Sequence, residues 1–161
     1  MMTVDIRNIP EDEHLTIEGE LTDDICQLPE NDAASVSGPL TYRAEASIIS
    51  ENLLLRGNFN QPFELTCCRC NQAFRHTVRL SGHSLLAPLG NLTLIDLTDA
   101  LREDIILALP NFPHCNNGDN PMDCPARGRF HTEEDFLPTD PKENKASGSS
   151  SWETLDKLKL D

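Results

Sequence analysis

Six cysteines in 161 residues are the side chains whose spacing points to a definite chemistry. Cys67-Cys68-Arg69-Cys70 contains a C-x2-C pair, Cys67 with Cys70. Such a knuckle lets two thiolates reach one metal from a tight turn, with backbone amides available to both sulfurs. Cys115 and Cys124 bracket a turn-rich segment, Asn116 to Asp123, with almost no apolar content. That segment cannot pack a core, so something else must order it, and a metal bridge to the knuckle would do so. Four thiolates, Cys67, Cys70, Cys115 and Cys124, match the closed tetrahedral site of structural zinc. Cys68 is expected to point away, His114 and His131 are reserve ligands, and Cys26 beside Ile25 reads as a small buried hydrophobe.

Two other readings of the cysteines stay open. They could be free thiols in a lineage without the metal, or Cys67 and Cys70 could be a redox pair. The second is disfavoured because Cys67-x-x-Cys70 does not open a helix in a βαβ setting. Catalytic patterns are missing from the sequence. There is no phosphate-cradling glycine loop, no G-x-S-x-G and no H-E-x-x-H. A metal closed by four thiolates leaves no open position for substrate. The expectation is a protein that is not an enzyme and takes no small-molecule substrate.

Charge narrows the choice of partner. The formal net charge is −14. Up to residue 35 every fully charged side chain except Arg7 is acidic, between 36 and 129 every base is arginine, and the lysines all fall in the tail. The overall field repels nucleic acid and attracts basic proteins. Among the arginines, Arg43, Arg56, Arg75, Arg79, Arg127 and Arg129 leave room for a local RNA contact, with Arg75, Arg79, Arg127 and Arg129 the nominated set. No apolar run reaches membrane-spanning length, and Met1 to Glu13 lacks the features of a secretory or transit signal. The expected compartment is the cytoplasm, with no membrane partner; in a reducing milieu cysteines serve more readily as ligands than as disulfides.

The elements that must position these groups follow from periodicity. Thr3–Ile6 and Leu15–Glu18 alternate as short strands, and Leu28–Gly38 reads as loop. Leu40 to Ile48 alternates, a turn at Ser50-Glu51-Asn52 leads to a second strand with Leu53 and Leu55, and Phe63, Leu65 and Cys67 form a third. Phe74, His76, Val78 and Leu80 form a fourth, with Arg75, Thr77 and Arg79 opposite. Leu94, Leu97, Leu101, Ile105 and Ala108 then fit one helical face, with Asp96 or Thr98 as cap and Pro110 beyond its end. The fold class expected is α+β: an antiparallel β meander, one packed amphipathic helix and a cysteine-bearing loop, all within 1–129. Residues 130–161 read as a mostly flexible tail. It ends in a short amphipathic helix, capped by Ser150 with Glu153, whose Trp152, Leu155 and Leu158 would bind a partner or dock on the domain.

The order of these features resembles the YceD family, the large ribosomal RNA subunit accumulation proteins. It runs from a strand through the C-x-R-C knuckle (Cys67 to Cys70) and a second strand. The helix motif follows, Ile95-Asp96-Leu97-Thr98 through Arg102-Glu103 to Leu107-Ala108-Leu109-Pro110, and then the cysteine loop from Cys115 to Gly128. The resemblance covers roughly residues 15–128, and the tail Trp152-x-x-Leu155-x-x-Leu158 is similar to the family's ending. It implies a role in accumulating large-subunit ribosomal RNA through a ribosomal protein or a large-subunit precursor particle, with the RNA itself a further candidate partner. It supplies no catalytic residue. Where the family's loop often reads C-x-G-L-C-P-x-C-G, this chain has Cys124-Pro125-Ala126-Arg127-Gly128, with Arg127 in place of the second cysteine. Cys115 matches an earlier cysteine of that loop. Arginine stays protonated and cannot be a ligand.

Overall fold

The computed structural model describes residues 1–10, 13–30 and 32–127. The predicted terminal helix with Trp152, Leu155 and Leu158, together with Arg129 and His131, lies outside them. The described residues are mainly β, with one helix, so the α+β expectation holds in its coarse form.

One five-stranded antiparallel sheet dominates. It contains β2 (Leu15–Leu21), β3 (Ala34–Val36), β4 (Leu40–Ile49), β5 (Asn52–Thr66) and β6 (Ala73–Pro88). The order is β2-β4-β5, with β6 on the far side of β5. β3 lies on the same side of β5 as β4, opposite Phe63 to Leu65. The sheet curls into a half-barrel. β4, β5 and β6 form the expected meander. The predicted loop Leu28–Gly38 is corrected by β3: Ala34 and Val36 give too short an apolar alternation to stand out, and pairing with β5 makes the strand.

The predicted second and third strands are one strand, β5. Its buried residues, Leu53, Leu55, Phe59, Gln61, Phe63 and Leu65, keep a single period of two. Gly57 and Gln61 interrupt the apolar signal without interrupting the strand. A Cβ on Gly57 would collide with the Arg43 carbonyl and Ala44 of β4. Gln61 is buried and its Nε2 donates to the Gly38 carbonyl at 2.9 Å, which satisfies it. Pro62 falls where β4 pairing has ended at Asn60, and its carbonyl accepts from Ser37 N at 3.0 Å. Its missing N–H therefore costs no ladder bond.

β6 also runs further than its predicted end near Leu80. Between the pairs Phe59↔Leu80 and Gly57↔His83 it carries one extra residue. This bulge is centred on Gly82, whose φ is +60°. The bulge flips the parity of the inward positions. Phe74 and Val78 are buried before it, and Leu85 after it.

The concave face is closed by the first strand and by the segment that follows β6. β1 (Thr3–Asp5) pairs with β7 (Leu94–Asp96), and α1 (Thr98–Leu107) follows at once. Leu94 thus belongs to a strand and is exposed, a correction to the predicted helical face. The N-cap is Leu97, which offers no side-chain bond, rather than the expected Asp96 or Thr98; Asp96, one residue earlier, accepts from Thr98 N at 2.8 Å through its Oδ1. Leu97, Leu101 and Ile105 are fully buried against the sheet. Each such side chain contributes about 2 kcal/mol of burial, far more than helix propensity supplies. No helix among the described residues is long and apolar enough to cross a membrane.

Candidate metal centre

β5 ends at Thr66, and the chain turns through the knuckle before β6 begins at Ala73. Cys67 N donates to the Gln72 carbonyl at 2.9 Å, and Asn71 N donates back to the Cys67 carbonyl at 2.9 Å. Asn71 takes φ +59°, a left-handed conformation that asparagine tolerates. The two long strands thus hold Cys67 and Cys70 in a closed turn. Across from it, Cys115 opens a short 3₁₀ turn, Cys115–Asn117, and Met122 N donates to the Cys115 carbonyl at 3.1 Å. Cys124 opens the next turn, accepting from Arg127 N at 2.9 Å.

These turns bring Cys67, Cys70, Cys115 and Cys124 together, with all four Sγ atoms within 4.8 Å of one another. Cys70 and Cys115 are 3.9 Å apart at sulfur. Cys67 and Cys115 are fully buried and Cys124 nearly so. None of the cysteines is in a disulfide. Four convergent thiols can hold a metal ion, and thiolate donors favour zinc, copper(I) or iron–sulfur chemistry over hard cations. The reserve ligand His114 is not in the cluster; its Nδ1 lies 3.2 Å from the exposed Cys68 Sγ. Cys26 is buried apart.

The electrostatics suit a cation. Burial opposes ionisation of Cys67, but the backbone amides of Arg69, Cys115 and Cys70 outweigh it and bring the thiol down to about 5. Cys115 is pushed up to about 12, by burial and then by the neighbouring sulfurs of Cys67, Cys124 and Cys70. At Cys70 the Gln72 amide favours the thiolate, but burial and the sulfurs of Cys67 and Cys124 prevail and raise it. The thiols therefore cannot all ionise side by side; a bound cation removes that repulsion.

The cysteine loop has a second anchor that its sequence did not reveal. Asp119 N donates to the Arg75 carbonyl at 2.8 Å. Its carboxylate accepts from Thr77 Oγ1 at 2.6 Å and from Arg79 at 2.8 Å. Burial works against the charge on Asp119, yet these bonds hold its carboxyl below the usual carboxylate range. The loop is thus pinned to the edge of β6 between its two cysteines.

Each nominated arginine among the described residues has an acidic neighbour. Arg79 is held by Asp119. Arg75 is the cross-strand partner of Glu64, Arg56 of Glu45 and Arg43 of Glu18. Arg127 is exposed and 3.9 Å from Asp123. Register, which composition does not carry, places an acid opposite Arg43, Arg56 and Arg75, while Arg79 lies opposite Asn60 and takes its acid from the loop. No family model, curated protein or solved structure matches this chain.

Proposed function

We propose that this protein is a non-catalytic, zinc-stabilised adaptor of the cytoplasm. In this reading it supports accumulation of large-subunit ribosomal RNA by binding a basic ribosomal protein or a large-subunit precursor particle. The observation that carries it is the closed four-thiol cluster, which gives the chain a structural centre and leaves no open coordination position. Tetrahedral zinc–thiolate bonds of about 2.3 Å require sulfurs about 3.8 Å apart. The Cys70–Cys115 separation of 3.9 Å fits this. The order of the Cys67–Cys70 knuckle, the Ile95 to Pro110 motif and the cysteine loop supports the ribosomal role.

Binding through a basic protein is favoured over direct RNA binding because Arg43, Arg56 and Arg75 each have an acid across the strand and Arg79 is held by Asp119, while the net charge is −14. A thiol redox function is disfavoured for Cys67 and Cys70, which converge with two further sulfurs rather than standing as an isolated pair. The test is an affinity pull-down with the full chain at low and moderate salt, alongside the ratio of large- to small-subunit RNA in cells lacking it. Recovery of a ribosomal protein or precursor particle, with a lowered ratio, is expected. Recovery of neither, with an unchanged ratio, would sink the proposal.

A further inference from the structure

Among the described residues the sheet is open, and its β2 edge carries an unusual combination of groups. Which backbone groups of β2 face outward follows from the β4–β5 hairpin. Ser50 and Glu51 have φ of +46° and +64°, a two-residue type I′ turn closed by the pair Ile49↔Asn52. The closing pair of such a turn is hydrogen-bonded, and bonding alternates along the strand. Ile49, Ser47, Glu45, Arg43 and Thr41 therefore bond to β5. Ala46, Ala44, Tyr42 and Leu40 bond to their β2 partners Leu15, Ile17, Gly19 and Leu21. The main-chain N–H and C=O groups of Thr16, Glu18 and Glu20 thus point away from the sheet. No described residue bonds to them.

The side chains along this edge are arranged with equal regularity. Leu15, Ile17 and Leu21 face the concave side and are only half-buried, packed against the core on one flank. Thr16, Glu18 and Glu20 are exposed on the convex side. Glu18 meets Arg43 only loosely, at 3.9 Å with both side chains largely exposed.

We infer that β2 is a docking edge for an extended segment of a partner protein in which apolar and basic residues alternate. The segment would add as a sixth strand, bonding to Thr16, Glu18 and Glu20. Its apolar side chains would cover Leu15, Ile17 and Leu21, and its lysines or arginines would lie beside Glu18 and Glu20. A second copy of this chain does not fit. Antiparallel β2–β2 pairing about Glu18 sets glutamate against glutamate, which is destabilising. This inference deepens the proposed function by locating its partner site, and rests on that reading for the partner's basic character.

The probe is a labelled ten-residue peptide of alternating lysine and valine, titrated into the full chain and followed by fluorescence anisotropy. Two N-methylated forms keep its charge and block one backbone edge or the other. The inference expects methylation of one edge to weaken binding at least tenfold and methylation of the other to leave it within about twofold. Equal binding by all three peptides would mean charge attraction alone and overturn it, as would no binding. On the protein side, Glu18→Pro removes an outward N–H and spares the β4 ladder, so it should also weaken binding at least tenfold. Glu18→Lys with Glu20→Lys should transfer preference to a glutamate–valine peptide. The N-methyl comparison uses the unaltered chain and does not depend on either variant folding. Edge-selective peptide binding with no ribosomal protein in the pull-down keeps the docking edge and removes the ribosomal role; the converse removes the edge alone.

Discussion

Asp119 separates the contribution of the fold to the proposed metal centre from that of the cysteines. Replacing it with alanine removes two hydrogen bonds to its carboxylate, from Thr77 at 2.6 Å and Arg79 at 2.8 Å, and leaves every thiol in place. A bond to a charged group contributes roughly 1.5–3 kcal/mol. Arg79 is more than half exposed, so its part is discounted to under about 1 kcal/mol by solvent screening. The loss should come to about 2 kcal/mol, which metal binding must then supply in ordering the loop, and apparent affinity should fall about thirtyfold. Competition against a chromophoric chelator measures this directly. Thr77→Val should show most of the effect and Arg79→Ala the smaller share. Affinity of Asp119→Ala within about threefold of the parent would refute the reasoning, because the loop would then be pre-formed without its anchor. Asp119 also fixes a pH signature. Its folded pKa is lowered, so its contribution is present above the unfolded value near 3.9 and is lost as pH falls through the folded value.

The metal-free protein should be most stable near pH 8.5. Cys67, lowered to about 5, adds stability as pH rises from 5 towards the unfolded thiol value near 8.5, while Cys115, raised to about 12, loses it above that value. Thermal melts after chelation across pH 5–10 check this, and a monotonic rise would contradict it. Cys70→Ser should abolish tight metal binding and Cys68→Ser should leave metal content unchanged, by elemental analysis of the purified chain. Gly57→Ala should cost about 3 kcal/mol or more in denaturant melts, because its Cβ would strike the β4 backbone. Replacing Ser50-Glu51 by Asn-Gly, which accepts the positive φ of both positions, should stabilise by about 1 kcal/mol, or about 4 °C in melting temperature.

What could be seen in advance follows the range of each interaction. The thiol cluster was legible because a C-x2-C turn is local, and because the polarity of Asn116 to Asp123 announced that a core could not order it. The strands were legible where period two ran unbroken, as from Leu40 to Ile48. They were misread where one residue disturbed it: Gly57 and Gln61 split β5 in the pattern, and the extra residue at Gly82 hid the second half of β6. Leu94 fell into helical phase with Leu97 and Leu101, yet pairing with β1 made it a strand. Asp119 gave no signal at all, since Thr77 and Arg79 lie about forty positions away.

The same distinction governs the surface. Counting arginines along the chain suggests an RNA contact; only strand register shows Glu18 beside Arg43, Glu45 beside Arg56 and Glu64 beside Arg75. With an acid across the strand from each of these three arginines, the convex face keeps little long-range pull on phosphate. Glu18 and Glu20 differ from the others by standing on the strand whose outward backbone has no described partner. A basic strand that pairs there gains main-chain bonds and charge together, whereas RNA gains neither. In the inferred docking the acidity of the chain selects what can add to β2, and the four-cysteine cluster stands at the far end of β5, where it joins the β5–β6 turn to the loop of Cys115 and Cys124.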